Sequence, residues 1–249
     1  MIVGLGAITS LAWLYLLRMS AGMGAMAAEA QMHMAMGMGD MRAWGVADWL
    51  GLFVMWAVMM VAMMLPSAAP VMVLVLGVYR RRADAQARMA AAAFVAGYLL
   101  AWTGFSLIAS AGQIAFHRAS LMAPDMRVRS AVLSGVVLLV AGIYQWLPFK
   151  NTCLTHCQSP LGFLSQHWRE GAIGGLMLGL RHGTFCIGCC WLLMAMLFVV
   201  GVMNLAWVAA LACLVLAEKA LRGGAVLGRV AGVAAVAWGL YLLVSRSVH

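Results

Sequence analysis

The chain has 249 residues, of which 65% are hydrophobic and only 9% charged. A soluble domain carries about a quarter of its residues as charged side chains, so no sizeable soluble domain is hidden here. The 16 basic against 7 acidic residues fall mostly between apolar spans. There they set topology and meet anionic lipid, which argues against nucleic acid as the partner.

Read in chain order, Ile2 to Leu17 is an apolar run ended by Arg18. It is short for a spanning helix and lacks the basic start of a secretory signal, although Ala25-Met26-Ala27 resembles a cleavage site. It reads as a weak first span or signal anchor. Met19 to Ala43 follows as a Met-, Ala- and Gly-rich segment, so residues 1–45 form one unit and 46–249 the transmembrane helical domain. Val46 to Leu65 is a strong span ending at Pro66, and apolar sequence continues past Pro70 to Tyr79. A kink or break is expected at these prolines. The basic run "RRRADAQAR" (Arg80 to Arg88) is the best cytoplasmic anchor, which places the Met-rich segment outside.

Met89 to Ala111 and Ser130 to Leu147 are the next spans, with polar loops at Gln113 to Arg129 and Asn151 to Glu170. Gly171 to Val202 is apolar for about 32 residues, roughly 48 Å as one helix. That exceeds the ~30 Å hydrocarbon core, so a tilt or a break near Gly183 and Gly188 is expected. Leu205 to Ala217 is a shorter span ended by Glu218 and Lys219, and Ala225 to Val244 is the last. The fold class is an all-α polytopic integral membrane protein, a bundle of about six to seven transmembrane helices, placed in the bacterial inner membrane.

Four clusters carry side chains able to do chemistry. In "RHGTFCIGCCWLLM", His182, Cys186 and Cys190 are spaced i, i+4, i+8 and share one helix face, with Cys189 at its edge and Met194 one step on. Thiolates and thioethers are soft ligands that favour Cu(I), and thiolate with imidazole also suits zinc. Ionisable groups inside spans are costly and mark functional sites by default; the plain alternative is that small, buried thiols simply pack. In "CLTHCQSP", within a polar loop, Cys153 and Cys157 have a spacing that could share a helical turn, with His156 between them, and it is looser than the two-residue gap of redox motifs and zinc knuckles. Cys213 is expected to pack in a helix. In "WAVMMVAMMLPS", Met55, Met59 and Met63 form a second i, i+4, i+8 stripe, which packing alone also explains. Similar Met-x3-Met steps line copper-transporter-type channels. The Met-rich segment holds Met32, Met34, Met36, Met38 and Met41 around His33 and Asp40; it reads either as a capture arm for Cu(I) or Ag(I), or as a flexible linker.

Absences narrow the class. There is no phosphate-binding loop, dinucleotide fingerprint or serine nucleophile elbow. The confident spans hold almost no carboxylates, which disfavours proton-coupled pumping and transport of magnesium or calcium.

Three stretches together, "AMMLPSAAP" (Ala62 to Pro70), "CLTHCQSPLGFL" (Cys153 to Leu164) and "RHGTFCIGCCWLLM" (Arg181 to Met194), resemble a bacterial family of predicted metal-binding integral membrane proteins, a domain-of-unknown-function family. The resemblance covers about Trp49 to Lys219. It implies an integral membrane protein with a metal site, but no reaction.

The leading expectation is a soft-metal protein, with Cu(I) first and zinc second. Its metal ligands come from His182, Cys186, Cys189, Cys190, Cys153, Cys157 and His156, with Met55, Met59 and Met63 as an access path or secondary site. Its partners are the lipid bilayer, the metal ion and a membrane or periplasmic protein. Transport and a metal-dependent enzyme site share this ligand pattern. The competing classes are a membrane thiol–disulfide oxidoreductase and a structural or assembly subunit of a membrane complex.

Overall fold

The computed structural model describes residues 2–35, 45–81, 87–123, 126–221 and 223–247. Among them the regular structure is helical: α1 (Ile2–Ala35), α2 (Val46–Arg81), α3 (Ala87–Arg118), α4 (Ala131–Tyr144), α5 (Pro148–Gln158), α6 (Pro160–His167), α7 (Gly171–Ala195), α8 (Leu197–Val200), α9 (Leu205–Ala220) and α10 (Gly224–Ser247). Five of these stretches are long and apolar enough to cross a membrane, and six if α4 and α5, bent by 62°, count as one broken span. The sixteen-residue α9 is shorter than these.

Several expectations change. The first apolar run does not stop at Arg18, because Ala and Met favour helix and α1 continues to Ala35. Met36, Met38, Asp40 and Met41 lie outside the described residues, as do the side chains of His33 and Met34. Next, α2 passes unbroken through Pro66 and Pro70. Proline offers no N–H to the carbonyl four residues back, so Pro66 leaves the Ala62 carbonyl without its helical donor. The indole Nε1 of Trp13 on α1 supplies one at 3.2 Å. A neighbouring helix thus restores the bond that the imino acid removes, as apolar surroundings require. Finally, α7 runs straight through Gly183 and Gly188 and ends at Met196, whose N–H is shared between the Leu192 and Leu193 carbonyls. The short α8 follows, and Gly201, at φ +99°, closes it in a conformation that suits glycine.

Those glycines serve packing instead. A Cβ added at Gly175 would strike the Ala90 carbonyl, one at Gly179 the Phe94 carbonyl, and one at Gly97 the Leu176 carbonyl. Small residues at four-residue spacing let α3 and α7 touch backbone to backbone, the usual device where apolar burial alone cannot drive association. The same holds for α4 against α10, where Gly142 meets the Gly232 carbonyl and Gly239 the Gly135 carbonyl. Around the α2–α3–α7 centre lie Trp56, Tyr79, Phe94, Tyr98 and Trp102, all buried.

The segment 151–170, expected as a polar loop, forms α5 and α6. Pro148 and Pro160 each start a helix, at a position where a missing N–H costs nothing. This local geometry turns Cys153 and Cys157 inward, both buried.

Candidate metal centre

The inward face of α7 supplies three of the four central thiols. Cys186, Cys189 and Cys190 are each no more than 1% exposed. Cys157 arrives from α5 and stands beside Cys186 and Cys189. Cys186 is the hub, with Cys157, Cys189 and Cys190 around it. Cys153, one turn before Cys157, places its sulfur against the Cα of Gly188 and stands near Cys189. A side chain at position 188 would occupy that space, so Gly188 lets α5 seat its cysteines on α7.

Polar groups from three other helices close on the hub. Tyr98 Oη of α3 is 3.1 Å from Cys186 Sγ and also 3.1 Å from the Met64 carbonyl of α2, to which it donates. Lys219 Nζ of α9 donates to Cys186 Sγ at 2.8 Å and to Ser67 Oγ at 3.1 Å. The thiols of Cys189 and Cys190 both donate to the Cys186 carbonyl at 3.0 Å. In this arrangement no group of three or more His, Cys, Asp or Glu side chains among the described residues is set to hold a metal ion. The reason is visible in the contacts: two thiols point at a backbone oxygen, and an ammonium covers the third. All six cysteines are free thiols.

Beside the thiols, two groups have unusual surroundings. His182 is buried among Phe94, Tyr98 and Phe163, with ring centroids 5.9, 5.9 and 5.2 Å away, and its Nδ1 has no hydrogen-bond partner. A buried polar nitrogen left in this state costs free energy unless something else engages it. Lys150 forms a buried ion pair with Glu218, its Nζ 2.8 and 2.9 Å from the two carboxylate oxygens. Lys150 also donates to Gln145 Oε1, while Gln158 Nε2 donates to the Glu218 carbonyl at 2.6 Å.

The remaining sequence candidates are placed apart from the hub or beside it. His156 stacks on Phe185 at 4.2 Å, on the outer side of the α5–α7 contact. Met55, Met59 and Met63 are buried in α2, within the same core as the thiols. Met194 is fully buried, Arg181 is exposed, and Cys213, expected to pack, is exposed as well.

Sequence reasoning did not reach Tyr98, Ser67, Lys219 or the Lys150–Glu218 pair. In the sequence, Lys150 and Lys219 stand just past apolar runs, where charges ordinarily mark helix ends. The missed signal lies in "LAEKA", where two charges end a short apolar helix with no polar sequence before them.

Four thiols, a buried imidazole and a cation beside the hub thus lie in one core, with no carboxylate among the sulfurs. No curated protein matches this chain, and no solved structure matches it. A family model does, over a region that overlaps the three motifs quoted above and extends past Lys219. It is described as PpoB2, copper chaperone, and because it matches residues 53–242, well over half of the chain, the chain belongs to that family.

Proposed function

We propose that this protein is a copper chaperone of the bacterial inner membrane, and that it holds Cu(I) at the thiol cluster for transfer to a membrane or periplasmic partner. The observation that carries this reading is the meeting of Cys157 with Cys186, Cys189 and Cys190 in a buried core, with Lys219 on the hub sulfur. Soft thiolates select Cu(I) over hard cations. Zinc in a structural site takes four fixed ligands in a tetrahedron, whereas Cys189 and Cys190 here share one acceptor on one helix. Cu(I) is satisfied by two or three sulfurs, which leaves room for a partner's ligand to enter and for the ion to leave.

Loading needs small rearrangements. Lys219 must move off Cys186 Sγ and keep its bond to Ser67, and the Cys189 or Cys190 thiol must turn away from the Cys186 carbonyl. Each thiol that becomes a ligand gives up its proton. Cys153, beside Cys189, is the next sulfur along α5 for ligand exchange. His182 offers its buried Nδ1 one turn before Cys186.

Purified protein in detergent, loaded with Cu(I) under anaerobic conditions, tests the reading by elemental analysis and X-ray absorption. The expected result is one copper per chain with a sulfur shell, lost in Cys186→Ser/Cys190→Ser. Wild-type protein that retains no copper, or that retains it equally in the double variant, would falsify it. The thiol relay is separated by alkylation mass spectrometry: a chaperone keeps its cysteines reduced through a cycle of loading and release.

A further inference from the structure

The end of α2 and the start of α3 carry two arginines that the thiol cluster does not use. Arg80 and Arg88 both line a cleft of about 380 Å³, whose walls come from α1, α2 and α3. Both side chains are exposed, and neither makes an ion pair among the described residues. Among the described residues that line the cleft, none is acidic. Beyond the arginines its walls are apolar: Ile8 of α1, Leu76 of α2, and Ala92 and Val95 of α3. Gly4 of α1 leaves one wall open, since a Cβ added there would meet nothing within 4 Å.

The helical register sorts these residues into a charged end and an apolar body. Leu76 and Arg80 are four apart on α2, and Arg88, Ala92 and Val95 follow one another at four and three on α3. Each set shares one face of its helix. Because α2 ends at Arg81 and α3 starts at Ala87, both guanidiniums stand at the same end of the cleft. From there the apolar wall runs about 10 Å along α3, from Arg88 to Val95. A small water-soluble anion would leave that wall unused, and a plain hydrocarbon would leave two cations unmet. The cleft suits a molecule that has both parts.

We infer that this cleft is a site for a phospholipid of net negative charge, with its phosphate at Arg80 and Arg88 and the first part of one acyl chain against Leu76, Ala92 and Val95. The inference rests on the chain crossing a membrane and is independent of copper. A guanidinium presents paired N–H donors in the plane that phosphate oxygens match. The headgroup of a zwitterionic lipid brings its own ammonium, which two guanidiniums repel and no lining carboxylate receives. The basic run places this end of the helices at the cytoplasmic leaflet, where anionic lipid gathers and basic pockets between spans hold headgroups. Seated there, the lipid ties α1, whose Val3, Ile8 and Leu11 are exposed, to α2 and α3.

The test uses the full chain, stripped of lipid in a mild detergent and offered equal amounts of phosphatidylglycerol and phosphatidylethanolamine with the same acyl chains. Native mass spectrometry counts the lipids that stay bound. Wild type is expected to keep one phosphatidylglycerol in preference to phosphatidylethanolamine, each guanidinium contributing about fivefold. Arg80→Gln/Arg88→Gln is expected to lose the preference, and Arg88→Gln alone to keep part of it. Gly4→Leu fills the cleft from a position with open space around it, and is expected to lower retention although both arginines remain. Equal retention of the two lipids by wild type overturns the inference. So does an unchanged preference in the double arginine variant, or unchanged retention in Gly4→Leu. Inorganic phosphate that protects wild type in a heat step as well as phosphatidylglycerol does also overturns it, because the arginines are then a plain anion site. Recovery of the chain in the aqueous fraction without detergent is a different result, and it refutes the membrane reading itself.

Discussion

The Lys150–Glu218 pair permits a quantitative test of how the site is held. Both side chains are at most 2% exposed and the contact is bidentate, so the pair joins the start of α5 to the end of α9. Glu218→Gln keeps the volume and removes only the charge, which leaves an ammonium in a dry core with amide partners alone. Breaking a buried ion pair on one side costs about 3–5 kcal/mol, most of it the penalty of the charge left behind. For a chain of this size that corresponds to a fall in Tm of roughly 6–20 °C. The assay is the fraction of monodisperse protein surviving a heat step in detergent, read by size-exclusion chromatography. The pair Lys150→Met/Glu218→Met should recover at least half of the loss, since exchanging both charges for apolar groups of similar volume is often neutral. A Glu218→Gln protein within about 2 °C of wild type, or a double variant no better than the single, would refute the argument.

Four further outcomes are expected. Trp13→Phe removes the donor to the Ala62 carbonyl opposite Pro66, and an unsatisfied buried carbonyl costs about 1–3 kcal/mol in the same heat assay; no change would mean that another donor takes over. Gly175→Val drives a side chain into the Ala90 carbonyl, and overpacking of about 1–3 kcal/mol or more should lower the folded yield, whereas Gly77→Val, with open space around it, should not. Lys219→Met should weaken Cu(I) binding about 10–100-fold, the usual effect of losing an outer partner, with Lys219→Arg recovering part of it in chelator competition. Copper affinity should fall as pH falls, by up to about tenfold per pH unit for each thiol proton released on binding; a flat profile would speak against thiolate ligation.

Much of the helical layout was legible because apolar length and helical spacing are local properties. The i, i+4, i+8 alignment of His182, Cys186 and Cys190 needs only the period of one helix, and α7 displays it. What stayed hidden depends on partners distant in sequence. Nothing near Pro66 announces that Trp13 will cap the carbonyl it exposes. Nothing in "CLTHCQSP" announces that Gly188, thirty-five residues past Cys153, leaves the gap that seats it. Charge was the most misleading signal. Lys150 and Lys219 obey the rule that cations flank spans, yet each turns inward because an acceptor from another helix awaits it. The glycines of α7 misled in the opposite direction: expected to break a long helix, Gly183 lets α3 approach it and Gly188 lets α5.

The two lysines also bear on the copper proposed for the cluster. Glu218 neutralises Lys150, so that pair adds no net charge to the core. Its neighbour Lys219 instead meets a hydroxyl and a sulfur, and it brings one positive charge to the thiols. Two thiolates with Cu(I) carry one negative charge, and Lys219 cancels it. Four thiolates with Zn²⁺ carry two, and the same lysine leaves one uncompensated. Since uncompensated charge in a low-dielectric interior is costly, the proposed reading of Cu(I) on two sulfurs is the one that leaves no net charge in the core. Adjacent residues, Glu218 and Lys219, thus take different partners: one neutralises the cation that anchors α5, and the other brings a cation to the hub thiol.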